Sequence, residues 1–426
     1  MHDFQYEKNE LYCESVPISL IAEKVDTPFY LYSYNTLVNH FKVFDSAFSS
    51  VEHIVCFSVK ANSNIAVLKT FVNHGGGVDI VSGGELFRAL IVGVEPKKVV
   101  YSGVGKNRCE IEFALQTDIL MFNIESTQEL QVIDSVAREI GKKARISFRI
   151  NPDIDPKTHP YISTGLRDNK FGINIKKSLN EYREAMKLKN IEIVGVDCHI
   201  GSQITDIDPF IDALRKTKEL IFELQKEGIS INYLDLGGGL GITYDKETPP
   251  HPDVYAQAII NEVSDLDCAL IFEPGRVIVG NAGILVTKAL YTKKSGGKNF
   301  VIVDAGMNDL TRPTLYDSYH GIQPVKLTET NEFIADLVGP ICESGDFLAR
   351  NRKMPQFEQE DLVAVMSAGA YGFTMTSNYN SRPRVPEVMV SGNEYHIIRE
   401  REEYFDLVRG EKIPDFLIRQ DNLNSA

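Results

Sequence analysis

The sequence has no C-x-x-C pair, no long apolar run and no excess of positive charge, and each gap closes off a class of function. The six cysteines, at 13, 56, 109, 198, 268 and 342, stand singly. That pattern fits reduced thiols in a cytoplasm better than a disulfide framework or a zinc site. No apolar stretch is long enough to span a bilayer, and Met1-His2-Asp3-Phe4-Gln5-Tyr6-Glu7-Lys8 lacks the basic-then-apolar order of a signal peptide. The formal net charge of −14 argues against nucleic acid or an anionic membrane as main partner. A small anionic ligand stays possible, because a few local Arg and Gly residues can bind it. Nothing is low-complexity, no short repeat stands out, and no G-x-G-x-x-G opens a helix, so the dinucleotide fingerprint is missing too.

What is present is the composition of a globular protein, 43% hydrophobic and 24% charged, in a chain of 426 residues. That is too long for one ordinary core and predicts two domains. Short apolar strands alternate with amphipathic helices through the first two thirds. The strands are expected at 54–60, 77–81, 98–102, 119–123, 144–150, 193–199, 232–236 and 269–273. Between them, 126–140 reads as a helix opened by a Ser126/Glu129 capping box, carrying Leu130, Ile133, Ala137 and Ile140 at helical spacing and stopped by Gly141. Eight such units over about 245 residues match the size of a parallel (β/α)₈ TIM barrel. A doubly wound sheet alternates in the same way, but here Lys60, Ser102, Asn123, Asn151, His199, Gly237-Gly238-Gly239 and Glu273 all follow strand C-termini. A barrel gathers those ends on one face, where such barrels carry their active sites.

After about residue 281 the rhythm changes. Runs at 283–287, 300–303, 333–338, 362–366 and 387–390 are strand-like with no regular helix between them, which predicts a second, mostly antiparallel β domain of barrel or sandwich type. Residues 35–280 are therefore assigned to the barrel, and 1–34 with 281–426 to the β domain. The tail after about Asp415 is polar and expected to fray.

Several short stretches carry chemistry. Lys60 ends an apolar strand, His53-Ile54-Val55-Cys56-Phe57-Ser58-Val59. Desolvation there is expected to lower its pKa and free the amine to attack a carbonyl as a Schiff-base former; the plain alternative is a surface lysine capping a strand. In Asp235-Leu236-Gly237-Gly238-Gly239, glycines let backbone N–H groups approach a phosphate, or merely make a turn. His199-Ile200-Gly201-Ser202-Gln203 offers an imidazole to stack on a flat ring and a hydroxyl for phosphate, or a structural histidine. Glu273-Pro274-Gly275-Arg276 holds opposite charges at fixed separation, fit for a pyridinium nitrogen and an anion, or for a structural ion pair. In the β domain, Arg312-Pro313-Thr314-Leu315-Tyr316 is a second anion grip, Cys342-Glu343-Ser344-Gly345 sets a thiol beside a carboxylate, and Tyr371 sits between small residues with its hydroxyl available to a phosphate. Each of these three, read alone, is more readily structural than functional.

Together, a Schiff-base lysine, a phosphate cradle, a ring stacker and a carboxylate for a ring nitrogen are what pyridoxal 5'-phosphate needs. The ordered set, with Asp79-Ile80-Val81-Ser82-Gly83-Gly84-Glu85, Lys170-Phe171-Gly172 and Asp304-Ala305-Gly306-Met307-Asn308-Asp309-Leu310, resembles the diaminopimelate branch of the pyridoxal-phosphate decarboxylases with an alanine-racemase-like barrel. The resemblance runs from the strand before Lys60 to Tyr371. It implies that Lys60 carries the cofactor, that Asp79 belongs to the cofactor site, and that His199 stacks on the ring. Gly237, Gly238, Gly239, Ser202, the Pro274-Gly275-Arg276 turn and Tyr371 would hold the phosphate. Glu273 would keep the ring nitrogen protonated, which favours decarboxylation over racemisation, since an arginine there could not supply the proton. Cys342 would return a proton to the α-carbon and Glu343 would accept the distal ammonium, both reaching the site of a partner chain in an obligate homodimer. Arg276, Arg312, Tyr316 and Tyr371 would bind substrate, and the cationic ones suit the far carboxylate of meso-diaminopimelate. The implied reaction is meso-diaminopimelate to L-lysine and CO₂, the last step of lysine biosynthesis by that route, in the cytoplasm and without a metal. The same-class rival is a decarboxylase of ornithine, arginine or a polyamine precursor such as carboxynorspermidine. The others are a non-enzymatic pyridoxal-phosphate carrier and a cofactor-free Schiff-base aldolase.

Overall fold

The computed structural model describes residues 2–155, 169–328 and 331–418. Eight parallel strands close into a ring: His53–Ser58, Gly77–Ile80, Val99–Tyr101, Met121–Ile124, Ala144–Asn151, Ile191–Asp197, Tyr233–Asp235 and Ala269–Phe272, the last pairing back onto the first. Each strand lies within about two residues of its expected place. The first differs in kind at its end: the strand stops at Ser58, and Lys60 sits on a single 3₁₀ turn, Val59–Ala61.

Side chains alternate between the two faces of a strand, and that alternation sets the layers inside the barrel. Ile54, Cys56, Val100, Met121, Tyr233 and Ile271 form a small apolar plug. Two residues further along five of these strands come Ser58, Ser102, Asn123, Asp235 and Glu273, all buried. The interior thus turns from apolar to polar toward the strand C-termini. The opposite faces carry Phe57, Phe122, Phe148 and Phe272 into the main core under the surrounding helices. One of these helices, Thr127–Glu139, is capped by Ser126, whose side chain accepts from the Glu129 N–H. The expected capping box is only half made: the Glu129 carboxylate accepts from the Glu125 N–H and pairs with Lys106.

The second domain is a mixed, mostly antiparallel sheet in the order Phe347–Pro355, Glu332–Val338, Lys298–Val303, Gly283–Ser295, Phe29–Ser33, Glu387–Ser391, Glu394–Arg399. Leu362–Val365 branches off Gly283–Ser295 and pairs with Ile322–Pro324. Phe29–Ser33 pairs antiparallel with Gly283–Ser295 and parallel with Glu387–Ser391, so this strand of the N-terminal segment belongs to the sheet, while Phe4–Glu7, Glu10–Cys13 and Val16–Pro17 form a small sheet of their own. Three of its strands escape sequence inspection. Phe347–Pro355 and Glu394–Arg399 carry several charged and exposed side chains, and Ile322–Pro324 is three residues long. Residues Asp415–Ile418 form a last helical turn; the rest of the tail expected to fray lies outside the described residues. No described helix is long and apolar enough to cross a membrane.

Candidate active site

A cavity of about 600 Å³ opens at the C-terminal face of the barrel. Its lining brings together Lys60, His199, Ser202, Gly238, Gly239, Glu273, Gly275, Arg276, Arg312, Tyr316 and Tyr371, drawn from both domains. Asp79 lies beneath, in contact with Lys60. Gly237 and Pro274 are buried behind the lining. Cys342 and Glu343 are exposed and do not line the cavity of their own chain.

The expectation of a depressed lysine is reversed. Burial alone would push the Lys60 ammonium down, but Asp79, then Glu273, outweigh it and hold the amine well above its ordinary value. The physical reason is a direct ion pair with Asp79, a carboxylate that Ser58 also supports through a 2.9 Å hydrogen bond. Asp79 Oδ1 is buried without a partner. In the free chain Lys60 is therefore a charged, held amine.

Glu273 sits where the eighth strand ends, and burial, then the Asp79 charge, raise its carboxyl to about 7. Ser102 Oγ donates to Glu273 Oε1 at 3.1 Å. Asn123 Nδ2 lies 3.3 Å from the same oxygen and 3.0 Å from Asp235 Oδ2. Ser147 donates to the Asn123 carbonyl and fixes its orientation. Asp235 and Asp197 are also buried in the barrel mouth, and burial followed by the Glu273 charge pushes both upward. Arg149 offsets part of this negative charge while it donates to Glu125 at 3.0 Å. Sequence reading named Asn123 and Ser102 only as strand ends and Asp235 only as the start of the glycine turn, and missed Arg149 and Asp197. Their signal was a charged residue near the C-terminal end of a strand, Arg149 in Ala144–Asn151 and Asp197 in Ile191–Asp197.

The glycine turn is required sterically. A Cβ on Gly238 would lie 2.2 Å from the Glu273 carbonyl oxygen. Gly237, at φ +62°, would bring a Cβ to 2.7 Å from the His199 side chain. The Gly238 N–H donates to His199 Nδ1 at 3.2 Å, so that nitrogen is the unprotonated one. Burial, then Arg149 and Lys60, lower the imidazole well below its ordinary value. His199 is thus a neutral, flat ring on the cavity wall.

The far wall is cationic. Arg276 Nη2 donates to Ser202 Oγ at 3.1 Å and its guanidinium lies 4.9 Å from the Tyr371 ring centre. Arg312 Nη2 donates to Ser318 at 3.4 Å. Both arginines are buried, Arg276 at 6% and Arg312 at 5% exposure, a state that charged side chains accept only with partners or for a ligand. Tyr371, held at φ +55° by its N–H bond to the Ala61 carbonyl, joins this wall to the Lys60 turn.

These residues fit pyridoxal phosphate. An amine, an acid positioned for a ring nitrogen, a flat neutral imidazole and a glycine turn with no room for Cβ atoms face one cavity, and Arg276 Nε is buried without a partner.

Residues 34–280 match the family described as "Pyridoxal-dependent decarboxylase, pyridoxal binding domain". The diaminopimelate decarboxylase of Vibrio cholerae is 51% identical over 409 residues, covering 96% of this chain and 98% of that one. That of Aquifex aeolicus is 48% identical, covering 94% of this chain and 95% of its own. Among solved structures, diaminopimelate decarboxylase from M. jannaschii in complex with L-lysine superposes with a TM-score of 0.93 at 38% identity, covering 98% of this chain and 100% of that one. With this architecture, this cavity and these relatives over nearly its whole length, the chain belongs to the pyridoxal-dependent decarboxylases and, among them, to the diaminopimelate decarboxylases.

Proposed function

We propose that this protein removes CO₂ from meso-2,6-diaminopimelate to give L-lysine, the last step of lysine biosynthesis by that route, with pyridoxal phosphate as its cofactor. The observation that carries the choice of substrate is the pair of buried guanidiniums, Arg276 and Arg312, on the cavity wall. Diaminopimelate has a second carboxylate to place there; ornithine and arginine have none. A CO₂-release panel tests this: turnover of ornithine with none of diaminopimelate overturns it.

Bound pyridoxal phosphate supplies a conjugated, electron-poor ring that takes up the electron pair left on the α-carbon when carbon dioxide departs. The chain does the rest. Lys60 is the amine that holds the cofactor, and Asp79 keeps it in place beforehand. Glu273, with a carboxyl near neutrality, keeps a proton at the ring nitrogen. His199 would stack on the ring face. Ser202, Gly237–Gly239, the Pro274-Gly275-Arg276 turn and Tyr371 take the phosphate. Arg276, Arg312, Tyr316 and Tyr371 orient the substrate, so that the bond to the departing carboxylate is held in one direction.

The α-carbon then needs a proton. We assign it to Cys342, with Glu343 receiving the distal ammonium, each supplied across the interface of a homodimer by the second copy. Their exposure and their absence from their own chain's cavity support this. Mixing inactive Lys60→Ala and Cys342→Ala homodimers after subunit exchange is expected to restore activity, since a hybrid owns one intact site. No recovery despite proven exchange overturns the shared site. All six cysteines are free thiols, which supports the cytoplasm as the compartment.

A further inference from the structure

Tyr244 follows the glycine turn and lines the cavity. Its hydroxyl oxygen is the point where the two arginines meet. It accepts from Arg276 Nη1 at 2.6 Å and from Arg312 Nη1 at 2.9 Å. The guanidinium carbons stand 5.7 and 4.8 Å from the ring centre, so the aromatic face also helps to hold two like charges close together. From behind, His320 steadies Arg312. Its Nε2 lies 3.2 Å from Arg312 Nη1 and its Nδ1 lies 2.8 Å from the Met366 carbonyl. A carbonyl can only accept, so the ring proton is on Nδ1 and Nε2 accepts from the arginine.

A phenol oxygen has two lone pairs and one hydrogen. Both lone pairs of Tyr244 are taken by guanidinium N–H groups. The hydrogen is left over, and no hydrogen bond donated by this hydroxyl is made among the described residues. Burial by itself would raise this phenol, yet Arg276 and Arg312 outweigh it and leave it below its ordinary value. A more acidic phenol is a stronger donor to an anion. One unspent O–H on a cavity wall, flanked by two cations, calls for an oxyanion with room for several donors.

We propose that Tyr244 is the third member of the receptor for the substrate carboxylate that is not lost: its lone pairs hold Arg276 and Arg312 together, and its O–H is donated to that carboxylate. The assignment rests on the diaminopimelate reading above. Chemistry supplies a sharp control. The product, L-lysine, keeps this far carboxylate, whereas cadaverine has the same carbon chain and amines and no carboxylate.

The test uses the Tyr244→Phe holoenzyme, which keeps the ring and removes one oxygen. KM for meso-diaminopimelate is expected to rise about 10- to 100-fold, the range for losing a hydrogen bond to a charged group, with kcat little changed. Inhibition by L-lysine is expected to weaken in the same proportion and inhibition by cadaverine not at all. An unchanged KM overturns the assignment, and so does equal weakening of lysine and cadaverine, which would report a general disturbance. Should the variant fail to load cofactor, a structure of the wild-type holoenzyme with L-lysine decides. A lysine carboxylate oxygen within hydrogen-bond distance of the Tyr244 hydroxyl supports it, and a carboxylate seated elsewhere overturns it. Wild-type enzyme without diaminopimelate turnover sinks the substrate reading itself, a result told apart from these because it needs no variant.

Discussion

On the barrel side of the cavity the titratable groups are chiefly acids carried at or beside strand ends: Asp79, Asp197, Asp235 and Glu273. Around Tyr244 the buried charged groups are bases on short helical turns, Arg276 in Arg276–Val279 and Arg312 in Arg312–Tyr316. The two walls are also fixed in place by different means. Strand ends inherit their positions from the barrel's backbone ladder, and side chains then tie the acids: Asp79 to Ser58 and Lys60, Asp235 to Asn123, and Glu273 to Ser102. Turns have no such ladder. The arginines are aimed by side chains outside their own turns, Arg276 by Ser202 and Tyr244 and Arg312 by Tyr244, Ser318 and His320. The comparison teaches that the acidic floor is a property of the fold, whereas the cationic wall is a property of individual side chains. Changes to the floor should alter chemistry, and changes to the wall should alter binding.

The largest effect that would break this division is at Lys60. Lys60→Ala is expected to cut CO₂ release by roughly 10⁴-fold or more, as for loss of a covalent group, and to abolish the visible absorption of bound cofactor. An active, coloured variant would remove Lys60 from the floor's chemistry. Next, Glu273→Gln keeps the shape but cannot yield a proton as an acid does. We expect kcat to fall by about 10²-fold with a smaller change in KM; the opposite split would place Glu273 on the binding side. On the wall, Arg312→Ala should raise KM for diaminopimelate by about 30-fold or more, as for one member of a buried charge pair, and leave cofactor affinity nearly intact. Equal loss of both would erase the distinction between the walls.

The smallest effect is on stability. The folded Glu273 carboxyl is raised to about 7, against an ordinary 4.5. Between those values the folded chain holds a proton that the unfolded chain has released. Stability from this site therefore falls as pH rises through that window. A glutamine has no such dependence. The Tm of cofactor-free Glu273→Gln relative to wild type should thus climb from about pH 4.5 to 7, and a constant difference would show that the acid is not raised.

How much of this was legible follows from the same division. The barrel strands were readable because apolar runs and their spacing report the ladder directly. So was the polar mouth, because alternation carries an interior strand position from apolar to polar there: Cys56 to Ser58, Met121 to Asn123, Ile271 to Glu273. The charge state of Lys60 was not readable, since Asp79 lies on the neighbouring strand and its contact depends on register. Tyr244 and His320 were missed for a related reason. They act on arginines 32 and 8 residues away, with Tyr244 a further 68 from Arg312, through contacts that only the closed structure defines.

The strand Phe29–Ser33 has a bearing on how the molecule is made. All five residues are buried, and both of its neighbours arrive from the last third of the chain. A ribosome emits this segment early and its two neighbours about 250 and about 350 residues later. The barrel can close in the meantime, but Phe29, Tyr30, Leu31 and Tyr32 must wait beside it with open backbone edges, a template for wrong pairing. The nascent protein thus carries an apolar, unpaired segment until its second sheet is completed.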